Sequence, residues 1–137
     1  MDSVVLDTNV VLDFLSAVRA DHSDAVSLVQ ALQKSGVRAY VVATSLKDIY
    51  YILGRSDGES VARTAVMSVL ATMTVLPVDE VCCLRALSSN EPDFEDGIIR
   101  AAAEIARADY LVSRDARAFL GSHVPRLSPA EALRQLR

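Results

Sequence analysis

Short runs of apolar, largely β-branched residues alternate along this chain with longer segments of helical periodicity, and this alternation is the tightest constraint on its fold. Ser3-Val4-Val5-Leu6-Asp7 reads as a buried strand ending in a polar group, and Asn9–Val18 follows with Val10, Val11, Phe14, Leu15 and Val18 at helical spacing. Ser23–Gln33 reads as a second helix closed by Gly36, and Arg38–Ala43 as a second strand. Thr44 or Ser45 can cap a helix over Leu46–Leu53 that stops at Gly54, and Ser60–Ala71 is helical. Thr74-Val75-Leu76 is a third strand, and Asp79 caps a helix reaching about Leu87. Asp93–Arg107 is a long helix, Asp109–Ser113 a strand, Ala116–Leu120 a short helix and Val124–Leu127 an edge strand, with Pro129 opening a terminal helix. Such alternation predicts an α/β fold with a mainly parallel sheet covered on both faces.

A chain of 137 residues fits one domain, 1–137, and can bury a core without a disulfide or zinc staple. No apolar run is long enough to span a bilayer. Met1-Asp2-Ser3 has no basic character, so a secretory leader is not expected and the expected compartment is the cytoplasm. Fourteen basic against eighteen acidic side chains give a net charge of −4, so the chain cannot bind nucleic acid through overall charge. An acidic protein can nevertheless process nucleic acid if its carboxylates hold metal ions.

Other chemistries fall away on missing partners. Cys82 and Cys83 are adjacent and lack further zinc ligands, and His22 and His123 are isolated. No His accompanies Ser45 or Ser113 in a nucleophilic arrangement, and there is no glycine-rich phosphate loop. A phosphatase of the haloacid-dehalogenase type would also begin with an Asp after the first strand. It would need a second Asp two residues on, where this chain has Asn9.

In parallel α/β sheets ligands bind at the carboxyl ends of the strands, near the point where strand order reverses. Asp7 and Asp115 stand at such ends, Asp48 lies a turn inside the helix after the second strand, and Asp93 and Asp96 share the first turn of the long helix. Each can serve locally: Asp7, Asp93 and Asp115 as caps, Asp48 on a solvated face, and Asp96 as a group that Arg100 pairs with or orients. Together they bring acids to one end of the sheet from four places. Gathered carboxylates repel one another unless a cation joins them, and hard oxygen donors without Cys or His select Mg²⁺ or Mn²⁺.

The segments Val4-Val5-Leu6-Asp7-Thr8-Asn9-Val10, Asp48 in its helix, Asp93-Phe94-Glu95-Asp96, and Leu111-Val112-Ser113-Arg114-Asp115, in this order, resemble the PIN domain. Among its members they are most similar to the small bacterial ones that include VapC-type toxin ribonucleases. The resemblance covers almost the whole chain. It implies a three-layer α/β sandwich around a central parallel sheet of about five strands, and a Mg²⁺- or Mn²⁺-dependent endoribonuclease. Asp7, Asp48, Asp96 and Asp115 match the four acidic positions, as metal ligands and catalytic groups. Asn9 matches the polar residue supporting the first acid, and Ser113 the hydroxyl position where Thr is usual. Asp48 stands where many relatives have Glu, one methylene longer.

On this reading RNA is the substrate, and Arg114, Arg117 and Arg100, which flank the motif acids, are the expected phosphate contacts. The resemblance further implies the toxin half of a toxin–antitoxin pair, with an antitoxin protein as partner. A mean hydropathy of +0.26 in so short a chain, together with the resemblance, leads us to expect a homodimer, with 24–33 and 61–70 as candidate surfaces. The competing expectation is a catalytically silent PIN module that binds RNA or a protein.

Overall fold

The structure is a computed structural model describing residues 1–137. Its twelve elements follow the order β1 (Ser3–Leu6), α1 (Thr8–Leu15), α2 (His22–Lys34), β2 (Arg38–Val42), α3 (Ala43–Asp57), α4 (Glu59–Thr72), β3 (Thr74–Leu76), α5 (Glu80–Ser88), α6 (Phe94–Ala106), β4 (Tyr110–Val112), β5 (Arg126–Leu127) and α7 (Pro129–Gln135). All five strands are parallel, in the order β3-β2-β1-β4-β5. The sheet therefore winds outward both ways from β1, and strand order reverses between β1 and β4.

Alternation along β1 divides the core. Val4 and Leu6 join one apolar cluster with Val10, Leu28, Ile49 and Val69, under α1 to α4 and α7. Val5 points the other way, into a cluster with Cys82, Ile98, Ala102 and Leu111, under α5 and α6. This is the three-layer sandwich expected from a sheet buried on both faces. No helix is long and apolar enough to cross a membrane.

Four local readings are corrected. α1 ends at Leu15 because Ser16 turns extended, leaving Val18 92% exposed instead of on the helix face. α3 continues through Gly54 to Asp57, and the chain breaks instead at Gly58, whose φ of 96° suits glycine. No helix forms over Ala116–Leu120, where the chain turns with buried Phe119 at φ 68°. α2 exposes no large hydrophobic residue, since Ala25, Leu28, Val29 and Leu32 are used in the core, whereas Val61, Met67 and Leu70 of α4 are exposed.

The close approach of α5 and α6 rests on Gly97, where an added Cβ would lie 3.3 Å from the Ala86 carbonyl oxygen and 3.4 Å from its Cβ. A branched side chain there must push the helices apart. Gly97→Val is expected to cost about 1–3 kcal/mol by overpacking, read as a lower urea midpoint at unchanged m-value.

Candidate active site

Asp7 extends β1 by one residue, its N–H donating to the Val112 carbonyl of β4 at 3.0 Å, and then caps α1 through an Oδ1 bond from the Thr8 N–H at 2.8 Å. The parallel register of β1 and β4 brings Ser113 alongside, and its buried hydroxyl donates to Asp7 Oδ2 at 2.7 Å. Ser113 Oγ also accepts from the Asp115 N–H at 3.1 Å, so one hydroxyl joins the first and last motif acids. Behind them, Thr8 and buried Ser45 of α3 share a hydroxyl–hydroxyl bond of 2.7 Å.

The acids converge on one cleft of about 450 Å³ whose lining includes Asp7, Asp48, Asp93, Glu95, Asp96 and Asp115. It lies at the carboxyl ends of β1 and β4, where the strand order reverses. Asp7 is buried, Asp48 and Asp96 are half-buried, and Asp115 is exposed. Asp93 caps α6, accepting from the Asp96 N–H at 3.1 Å, and also lines the cleft, so capping and site membership coincide. Glu95, which was not singled out from the sequence, lines the same cleft and interacts with the Asp48 carboxyl. Its position beside Asp96 in the first turn of α6 was the available signal.

The electrostatics follow from this crowding. Burial raises the Asp7 carboxyl and the Asp115 charge adds to the effect, against the hydrogen bonds from Ser113 and Thr8. Asp96 is pushed up to about 6 by burial and by the charges of Asp7, Asp93, Glu91 and Asp115. Interaction with the Asp48 carboxyl, then burial, lifts Glu95 to about 7. The Lys47 ammonium lies 3.4 Å from Asp48, with its side chain 78% exposed. An all-oxygen donor set under mutual repulsion fits a hard dication in chemistry. No three of these side chains converge in metal-ligating geometry.

The other sequence-selected residues divide. Asn9 lines the cleft, but its side-chain oxygen accepts from Arg19 at 3.4 Å and makes no bond to Asp7. Arg114 turns to Asp13, donating from Nε at 2.7 Å, and still borders a small cavity with Asp7, Asn9 and Asp115. Arg117 is exposed, and only its backbone is engaged, donating to Asp115 Oδ1 at 2.9 Å. Arg100 is buried and does not pair with Asp96. It donates to Asn90 at 2.6 Å and to the Gly121 carbonyl, and ion-pairs with Glu91 and Glu104, so it ties together the loops flanking the cleft and is removed from the phosphate contacts. Asp13, unnoticed in the sequence, is 2% exposed and holds both Arg19, at 2.8 Å, and Arg114. An acid among Val10, Val11 and Leu12 on a buried helix face was its signature.

The raised acids bind more protons in the folded than in the unfolded chain. For Asp96 the resulting stability is fully present below about 3.8 and is lost as pH rises through about 6. Asp96→Asn, in EDTA, is therefore expected to melt about 4 °C higher at pH 7.5, about 1 kcal/mol after discounting for solvent screening, with little change at pH 4. Melting curves at the two pH values check this. If Asp96 acted only within the α6 cap, neither curve would move.

The family model described as a PIN domain matches residues 3–117. No curated sequence matches the chain. Among solved structures it is similar to VapC20 of Mycobacterium tuberculosis, described as a sarcin-ricin loop cleaving toxin, at 18% identity over 83% of this chain and 91% of that one, with a TM-score of 0.67. It is also similar to a chain of a toxin–antitoxin complex from Klebsiella pneumoniae, at 20% identity, 92% and 97% coverage and a TM-score of 0.69. A third is VapBC2 of Rickettsia felis bound to a DNA fragment from its promoter, at 13% identity, 92% and 98% coverage and a TM-score of 0.70. At these identities the likeness is one of fold. The matched span runs from the first residue of β1 to just beyond Asp115 and takes in every acid of the cleft, and the chain belongs to the PIN domain family.

Proposed function

We propose that this chain is a Mg²⁺- or Mn²⁺-dependent endoribonuclease, one nuclease domain over residues 1–137, and the toxin of a toxin–antitoxin pair. The observation that carries the reading is the cleft itself. Acids from four separate segments meet at the switch point of a parallel sheet, where burial and the Asp115 charge raise Asp7, and burial and the charges of neighbouring acids, Asp7 first among them, raise Asp96. Folding does not favour such a gathering, whereas metal-assisted hydrolysis of a phosphodiester uses it. Membership of the PIN domain family supports nuclease chemistry, and the toxins among the structural relatives support the biological role. Their complexes support an antitoxin as the partner.

In this reading Asp7, Asp96 and Asp115 hold the metal, with Asp48 as a further ligand or as the base. When bound, the ion supplies a Lewis acid that neutralises phosphoryl charge and acidifies water. Ser113 and Thr8 fix the Asp7 carboxylate, and Ser113 orients Asp115 through its backbone. Asp48, beside Glu95 in the cleft, aligns the attacking water and accepts its proton as the opposite ribose oxygen leaves phosphorus. Arg117, free at the rim, and Arg114, anchored by Asp13, take phosphate oxygens. Asn9 holds Arg19 beside them. We place the protein in the cytoplasm.

The alternative is a silent module that binds RNA or a protein without cutting. It is favoured by the absence of any three side chains in ligating geometry. Cleavage of mixed single-stranded RNA separates the two. We expect cleavage with Mg²⁺ or Mn²⁺, its abolition by EDTA, and a loss of about three orders of magnitude in kcat for Asp7→Asn or Asp96→Asn. Cleavage that survives both substitutions would remove these acids from the chemistry.

We also propose a homodimer. Val61, Met67 and Leu70 of α4, and Val81, Leu84 and Leu87 of α5, expose apolar side chains that a second copy can cover. Sedimentation at micromolar concentration is expected to give twice the chain mass, and a monomer there refutes the dimer.

A further inference from the structure

Only two of the seven aromatic side chains are exposed, Tyr51 at 61% and Phe94 at 49%, and both stand on the elements that bring acids to the cleft. Tyr51 lies three residues after Asp48 on α3, and Phe94 lies directly before Glu95 and Asp96 at the start of α6. Both elements line the same cleft, α3 through Asp48 and α6 through Glu95 and Asp96. Tyr51 and Ile52, the latter 41% exposed, line the acidic cleft itself, forming an apolar ledge inside an otherwise carboxylate-rich opening. Neither is needed by the core, which α3 reaches through Ile49 and Leu53. The Arg55 guanidinium lies 5.5 Å from the Tyr51 ring centroid and donates to its hydroxyl at 3.3 Å, which steadies the ring and places a cation beside it.

We infer that Tyr51 is the stacking platform for an unpaired nucleobase of the RNA strand whose phosphate enters the acidic cleft, with Ile52 as its apolar floor and Arg55 facing the neighbouring phosphate. This rests on the nuclease reading above and names the form of its substrate. An exposed aromatic face beside a cation is the usual means of holding single-stranded nucleic acid without regard to base identity. Tyr51 is three residues, about 4.5 Å along the axis, from Asp48, so a base on Tyr51 and a phosphate at the acids can belong to one nucleotide. Bases inside a duplex present no free face to Tyr51, so the ledge selects unpaired RNA.

The test uses the Asp96→Asn chain with Mg²⁺, which prevents cleavage, and a fluorescent oligouridylate read by anisotropy. In that background Tyr51→Ser is expected to weaken binding about 5- to 100-fold, the range for loss of one stacked base. Tyr51→Phe should restore it to within about twofold, because the ring face is kept. With an abasic oligoribonucleotide of equal length the parent chain and its Tyr51→Ser variant should bind alike, and a duplex of the same sequence should bind weakly to both. Equal binding of oligouridylate after Tyr51→Ser, or failure of the parent to bind it, overturns the inference. So does a change of sedimentation coefficient on Tyr51→Ser, which would make the ledge a protein–protein contact. A native chain that cuts no RNA while Tyr51-dependent binding persists would instead overturn the nuclease reading and leave the ledge standing.

Discussion

Parallel pairing of β1 with β4 sets the Asp7 carboxylate against the Ser113 hydroxyl, a buried bond of 2.7 Å between residues 106 apart in sequence. The rest of the cleft is arranged around it. Asp7 is 8% exposed, and a carboxylate that deep is tolerated only when its oxygens have donors. Ser113 and the Thr8 N–H provide them. The same hydroxyl receives the Asp115 N–H, so the end of β4 cannot shift without disturbing the end of β1. Strand pairing, helix capping and the geometry of the two outer acids are thus a single structural event.

The distribution of cations is equally organised. Asp13, one side of α1 away from Asp7, holds two arginines, Arg19 and Arg114. Buried Arg100 is committed to Glu91, Glu104 and the backbone of Gly121. The guanidinium groups nearest the cleft are therefore used to brace its walls. Inside, burial and the charges of neighbouring acids raise Asp96, while burial and the Asp115 charge raise Asp7 against the hydrogen bonds from Ser113 and Thr8 and the charge of Arg114. A cleft kept negative at this cost to its own folding suits the cation-dependent chemistry proposed for it. It also accounts for how a chain of net charge −4 would hold RNA, through a few local groups and not through its overall field.

The strands were legible because buried parallel strands need continuous apolar, β-branched runs, as in Val4-Val5-Leu6 and Tyr40-Val41-Val42. Helix ends were less so. Gly54 reads as a stop, but in the fold a Cβ added there would lie 3.8 Å from the Ala62 Cβ, and the α3–α4 packing outweighs its low helix propensity. The segment Ala116–Leu120 has helical spacing and forms none, because Arg100 fastens the following Gly121 and Phe119 is drawn into the core at positive φ. Arg100 itself looked like a surface cation near an acid, since i,i+4 spacing from Asp96 says nothing of which loops close over it.

The sequence by itself determined the alternation of strands and helices, the placing of Asp7 and Asp115 at strand ends, and the spacing that brings Asp93 and Asp96 to a helix start and Asp48 a turn inside its helix. Those features are local: each depends on residue type and on periods of two or 3.6 residues. The tertiary structure alone decided what each charge faces. Whether an arginine meets an acid, a carbonyl or solvent depends on contacts between residues far apart in the chain, as for Arg114 with Asp13, Arg100 with Gly121 and Glu95 with Asp48. Coulombic and desolvation energies vary steeply over a few ångströms, and spacing along a sequence does not specify distances through space.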